Sequence, residues 1–244
     1  MLHALGAIVA VRQGKLENAL RESQKALAIA EETGTRPVLA LAHRMRSIAL
    51  RGRGELTRAL KHCEKGAATD RELGNRFNLA KDYLNQGVIA VEMGKWRQAV
   101  SADQEAIKLF QSIGAKYQLA MVLCNLGDKY RRMGESAKGL DVAQRGLEIF
   151  SGIDVPQGVI FAHAVLGPLF WRQGRPVKAR GHLTKAQELI REHEAKQFSN
   201  SVERWLAQVY LAEGDVDLAA SKLQVLRSSS SRALGTEAES VERL

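Results

Sequence analysis

Six histidines are the side chains in this chain best suited to proton transfer or metal ligation, because imidazole titrates near neutrality and is a common metal ligand. His3, His43 and His163 fall in one column of a 40-residue spacing, and His62 and His182 fall in another. No clustering partners accompany them, so recurrence on a template accounts for these five better than a catalytic or ligand set does. His193 stands apart between Glu192 and Glu194, at the expected end of a helix where the dipole favours a cation. Cys63 and Cys124 are the only cysteines, too few and too scattered for a disulfide framework or a zinc ligand set, and they fit a reducing compartment. A Gly-rich phosphate loop after a strand, a nucleophile elbow and a metalloprotease motif are all missing. The chain is therefore not expected to be an enzyme, with no catalytic residue, metal or cofactor implied.

The elements that hold these residues follow from the rest of the sequence. The chain has 244 residues, 45% of them hydrophobic, enough for a real core. Its formal charge of +9 permits acidic partners, and equally describes a solubilised surface. The opening MLHALGAIVA lacks a basic leader and a small-residue cleavage site, and no apolar run reaches the roughly 18 residues of a membrane span. A soluble, cytoplasmic protein without membrane partners is expected.

Glycine recurs at 14, 54, 94, 134, 174 and 214, a step of 40 residues each time. Seven positions before each stand Ala7, Ser47, Gly87, Gly127, Gly167 and Ala207, and five positions after stand Ala19, Ala59, Ala99, Gly139, Ala179 and Ala219. A further column reads Ala26, Gly66, Ala106, Gly146, Ala186 and Leu226. Apolar residues between them keep helical spacing, as in Leu16, Ala19, Leu20, Ala26, Leu27 and Ala30. Each unit reads as helix, tight turn, helix. Glycine ends the first helix because it accepts a left-handed backbone, and small residues let the two helices approach closely. One hairpin cannot cover its own apolar faces, so neighbours must stack.

These columns resemble the tetratricopeptide repeat family. Its small-residue signature falls on Gly87, Gly127 and Gly167, and its aromatic position on Tyr130, Phe170 and Tyr210. Its second-helix alanine falls on Ala59, Ala99 and Ala179, and the later alanine on Ala26, Ala106 and Ala186. The 40-residue length is similar to a long-helix branch found in bacterial regulators and scaffold proteins, and the proline that usually closes a unit is missing. The expected fold is all-α, an α-α superhelix or solenoid of about six units. They lie near 1–33, 34–73, 74–113, 114–153, 154–193 and 194–233, with a partial unit at 234–244 in one continuous array. Both ends cut a repeat, which suggests a piece of a longer protein with an attached effector domain. SGIDVPQG at 151 to 158 is read as a longer turn, and SSSSR at 228 to 232 as a frayed interruption of the last helix.

The resemblance implies a concave groove lined by the first helix of each unit. The matching positions are Arg44, Lys81, Asn85, Asn125, Asp128, Arg132, Arg172, Arg204 and Trp205. Asn85 and Asn125, one period apart, resemble the family asparagine that holds a peptide backbone, and an amide can donate and accept at once. Arg44, Lys81, Arg132 and Arg172 add positive charge, partly offset by Asp128 and Glu92. A polar inner face with no single ligand is the alternative. Trp96 and Trp171 read as structural, and Trp205 as either. The implied function is a protein-interaction module or scaffold taking a peptide or protein segment of acidic character. The runner-up is a sensor or regulatory segment of a larger bacterial signalling protein. Nucleic-acid binding, prompted by the charge and by RGRG at 51 to 54, is disfavoured because the first-helix columns carry no base-reading code.

Overall fold

The computed structural model describes residues 1–227. The segment at 228 to 232 and the partial unit at 234–244 lie outside the described residues. The helices are α1 (Leu2–Arg12), α2 (Leu16–Glu32), α3 (Arg36–Gly52), α4 (Leu56–Glu72), α5 (Arg76–Glu92), α6 (Trp96–Ser112), α7 (Lys116–Arg132), α8 (Ser136–Gly152), α9 (Pro156–Arg172), α10 (Pro176–Glu192) and α11 (Ser199–Ala212). A short 3-10 turn, Lys196–Phe198, precedes α11, and α12 covers 216–227. No strand occurs among the described residues. Each helix from α2 to α10 has 17 residues, and three-residue turns separate them. Helix and turn together take 20 residues, and two such halves produce the period of 40.

Turn chemistry is local and repeats. Gly94 has φ +73°, and the next residue, Lys95, donates its N–H to the Ala90 carbonyl at 2.7 Å, which caps the end of α5. A second glycine column, which the sequence reading passed over, closes the turn from one hairpin to the next: Gly34, Gly74 and Gly114 have φ of 65°, 66° and 68°. Asp154 and Glu194 occupy that column in the later repeats, both at φ 52°. The junction at 151 to 158 is accordingly not a longer turn. α8 ends at Gly152, α9 starts at Pro156, and the Val155 N–H reaches the Phe150 carbonyl at 3.2 Å as at the other junctions. A side chain in the left-handed region costs roughly 1–2 kcal/mol. Asp154→Gly and Glu194→Gly should each raise stability by about 1 kcal/mol, after the extra backbone entropy of glycine is subtracted. Denaturant midpoints check this, and a midpoint at or below the parent's would count against it.

The chain divides into two compact units, Met1–Val122 and Leu123–Leu244, with the division inside α7. The described part of each is a stack of helix hairpins. In the first, Ala19, Leu20, Leu50, Cys63 and Ile89 form one buried cluster, and Ala80, Ala106, Phe110 and Val122 form another. In the second, Phe150, Ile160, Leu166, Leu169, Leu183 and Leu206 are buried. The small columns sit where helices touch: Ala7, Ala19, Ala59, Ala99 and Ala179 are fully buried. No helix among the described residues is long and apolar enough to cross a membrane.

Candidate functional site

In the first unit the expected groove residue Arg44 is not on a surface. It is 3% exposed, held between Asp70 at the end of α4 and Asp82 on α5. Its Nε donates to Asp82 Oδ1 at 2.6 Å, and its Nη2 donates to Asp70, to Asp82 Oδ2 at 3.1 Å and to the Asn78 carbonyl at 3.3 Å. Burial opposes the charge on Arg44, but Asp82 and Asp70 more than offset it and hold the guanidinium above its ordinary value. Burial pushes the Asp82 carboxyl up to about 6, against the pull of Arg44. Arg44 thus ties α3, α4 and α5 together and is unavailable to a ligand.

Asn85 is half-buried, and its amide is partly engaged. Nδ2 donates to Ser47 Oγ at 2.9 Å and approaches Cys63 Sγ at 3.4 Å, while Ser47 Oγ donates to the Ala59 carbonyl at 2.8 Å. Cys63 Sγ donates to the Asp82 carbonyl at 3.2 Å, and burial pushes its thiol up to about 12, as it does for Cys124, which disfavours the reactive thiolate at both. Lys81 is exposed one turn before Asn85, with its ammonium 5.7 Å from the Phe77 ring centre. Burial of its stem and the charge of Arg44 lower its pKa.

The second unit gathers more of the expected residues. Asp128 is half-buried and accepts from Arg131 Nε at 2.9 Å, Arg131 Nη2 at 2.7 Å and Arg132 Nε at 2.8 Å. The Arg131 guanidinium in turn lies 5.4 Å from the ring centre of Trp205 on α11. A cation over an indole face at that distance is attracted by the ring quadrupole. Asn125, Arg132, Arg172 and Arg204 are exposed, and Trp205 is half-buried. Asn125 has no hydrogen-bond partner among the described residues, unlike Asn85. Asp128 and Trp205 are brought together through Arg131, a residue that sequence reasoning missed. Its signal was available as the i, i+3 spacing from Asp128.

The two histidine columns also meet across their hairpins. His43 Nδ1 lies 3.0 Å from His62 Nδ1, and His163 Nδ1 lies 2.9 Å from His182 Nδ1. The same pair of columns holds His3 against Glu22 at 2.6 Å and Glu203 against Lys222 at 3.4 Å. The common 19-residue offset was the usable signal. No group of three or more histidine, cysteine or carboxylate side chains able to hold a metal ion occurs among the described residues. Ring centres 5.2 and 5.0 Å apart place the nitrogens nearly in line, the arrangement of an N–H···N hydrogen bond. Burial pushes His43, His62 and His163 down to about 4, helped for His43 by the charge of His62. Such an imidazole is neutral when folded and takes a proton on unfolding. Stability is therefore complete above the unfolded value of 6.5, falls as pH drops through the window from 6.5 to about 4, and levels off below. The ceiling for His43 is roughly 3 kcal/mol, at 1.36 kcal/mol per pKa unit. In another repeat these two columns carry Leu123 and Val142. His43→Leu with His62→Val should therefore fold and lose less stability between pH 7 and pH 4 than the parent. Thermal melts across that range decide it, and parallel pH profiles would refute it.

Residues 77–152 match the family model described as tetratricopeptide repeat. Comparison with curated protein sequences returns no match. Among solved structures, BtubC (BKLC) from P. vanneervenii is 17% identical, with a TM-score of 0.76 and 93% of each chain covered. A STAND protein (signal transduction ATPase with numerous domains) with a tetratricopeptide repeat sensor, from Pyrococcus horikoshii, is 18% identical with a TM-score of 0.78. Its match takes in 98% of this chain, which spans only 38% of that one. A Rap protein complexed with Competence and Sporulation Factor is 16% identical with a TM-score of 0.67, covering 93% of this chain and 62% of that one. At these identities the likeness is one of fold.

Proposed function

Taking the chain as a tetratricopeptide-repeat protein, we propose that it is a non-catalytic interaction module, and that first-helix residues of the second unit hold an acidic peptide or partner segment. The observation that carries this is the arrangement around Asp128. One carboxylate fixes two arginines, one of them against Trp205, and Asn125, Arg172 and Arg204 of the same unit are exposed. Fixed guanidiniums lose little freedom on meeting carboxylates, and a half-buried tryptophan supplies apolar contact at low entropic cost. Asn125 offers an amide that can donate and accept to a peptide unit. Lys81 and the outward part of Asn85 are the corresponding groups of the first unit. The solved Rap complex, a protein of this fold with a bound factor, supports the reading.

A random-peptide display library selected on the full chain is expected to enrich acidic segments. An enriched peptide should bind at least about tenfold more weakly to Asn125→Ala and to Arg204→Gln, and lose affinity as salt rises. Unchanged affinity in both variants would remove the reading. The second reading, a sensor segment of a larger bacterial signalling protein, is favoured by the likeness to the repeat sensor of the STAND protein. It uses the same surface and differs in what is attached to it.

A further inference from the structure

The RGRG turn at 51 to 54 opens onto a pocket that the interaction surface does not use. α2, α3 and α4 border an open pocket of about 390 Å³ there, lined by Arg21, Arg46, Arg53 and Arg58, with Glu17 and Leu50 among the other walls. The carboxylates are unevenly shared. Arg53 pairs with Glu17 at 3.2 Å and with Glu55 at 3.1 Å, and Arg58 also pairs with Glu55. Among the described residues Arg21 hydrogen-bonds Asn18 Oδ1 alone, at 2.9 Å. Arg46 donates from Nη1 to the Leu20 carbonyl at 3.1 Å, has no carboxylate in ion-pair range among the described residues, and keeps a buried Nε–H without an acceptor. Within ion-pair range the four guanidiniums meet Glu17 and Glu55 alone among the described residues, an excess of two positive charges.

The repeat does not require these arginines. The column of Arg46 reads Gly6, Gln86, Leu126, Leu166 and Leu206 elsewhere, and the three leucines are buried. An arginine where the fold accepts leucine, half-buried beside another arginine and lacking a carboxylate, costs stability that a bound anion would return. Burial and the charge of Arg58 lower the pKa of Arg46 by more than the charge of Glu55 raises it.

We propose that Arg46, Arg58, Arg53 and Arg21 form a binding site for a phosphate monoester. A dianion matches the excess of two charges, and forked guanidiniums match its oxygens. The pocket is open to solvent, which leaves room for an organic substituent on the phosphate. The site shares no residue with the peptide surface proposed above, and does not depend on it.

Inorganic phosphate and phenyl phosphate, titrated separately into the full chain at constant ionic strength by calorimetry, distinguish a free ion from an organic monoester. Saturable one-to-one binding of both is expected, because the open pocket leaves the phenyl group in solvent. Arg46→Leu, which copies the residue of other repeats, should keep the fold by circular dichroism and weaken binding at least tenfold, as should Arg58→Gln. Arg145→Gln, at an exposed position of the second unit outside both surfaces, should leave binding of both probes unchanged. No saturable binding of either probe, equal displacement by acetate, or full affinity in Arg46→Leu would overturn the proposal.

Discussion

Arg44→Leu is expected to destabilise the protein by about 3–5 kcal/mol at pH 7, seen as a large fall in denaturant midpoint. The substitution removes the cation but leaves Asp70 and Asp82, which are 1% and 0% exposed, buried beside each other. An uncompensated buried carboxylate is costly unless it takes up a proton. Asp82 already titrates near 6 with Arg44 in place, and loses the guanidinium that pulls it down. Its folded pKa then lies further above the unfolded value, so the folded state binds more protons and stability falls as pH rises. The variant should therefore be weaker at pH 8 than at pH 5. The repeat itself supplies the rescue. One period on, the positions of Arg44, Asp70 and Asp82 carry Leu84, Phe110 and Val122, which pack in one apolar cluster. The triple variant Arg44→Leu, Asp70→Phe, Asp82→Val should recover the loss or exceed the parent, because a buried ion cluster is often no more stabilising than well-packed apolar residues. A single variant as stable as the parent would show that the cluster does not hold α3, α4 and α5 together.

The second large effect is expected from Gly139→Val, at roughly 3 kcal/mol or more. α7 and α8 cross with glycine on both sides. A Cβ on Gly139 would stand 2.9 Å from the Gly127 carbonyl oxygen, and a Cβ on Gly127 would stand 3.0 Å from that of Gly139. Other hairpins set alanine against the small residue, as Ala99 against Gly87 and Ala179 against Gly167. Here Leu169 fills the space, with Cδ2 2.6 Å from the added atom. A leucine can turn away, but a carbonyl moves only with its helix, so overpacking at this site should fall at the upper end of its usual cost. Leu169→Ala should therefore restore only part of the loss in the double variant, and full restoration would place the strain in the side chain instead. Gly181→Ala is the control. Nothing lies within 4 Å of its Cβ, and alanine in the interior of α10 should add up to about 1 kcal/mol.

What the amino-acid sequence determined by itself was what depends on one helix or one turn: the 40-residue period, the helices, the glycine turns and the small residues at crossings. These depend on φ at one residue and on spacing along one helix, both of which are local. Even Asp154 and Glu194 obey the same turn geometry without glycine, because the flanking helices impose it. Only the tertiary structure decided which columns face each other. Arg44 lies on a helix face expected to reach the groove, but it meets aspartates 26 and 38 residues away that no single helix relates to it. The histidine pairs, the Arg131–Trp205 contact and the arginine pocket arise in the same way. Each depends on the distance between side chains of different helices, and residue spacing along the chain carries that distance only after the helices are packed.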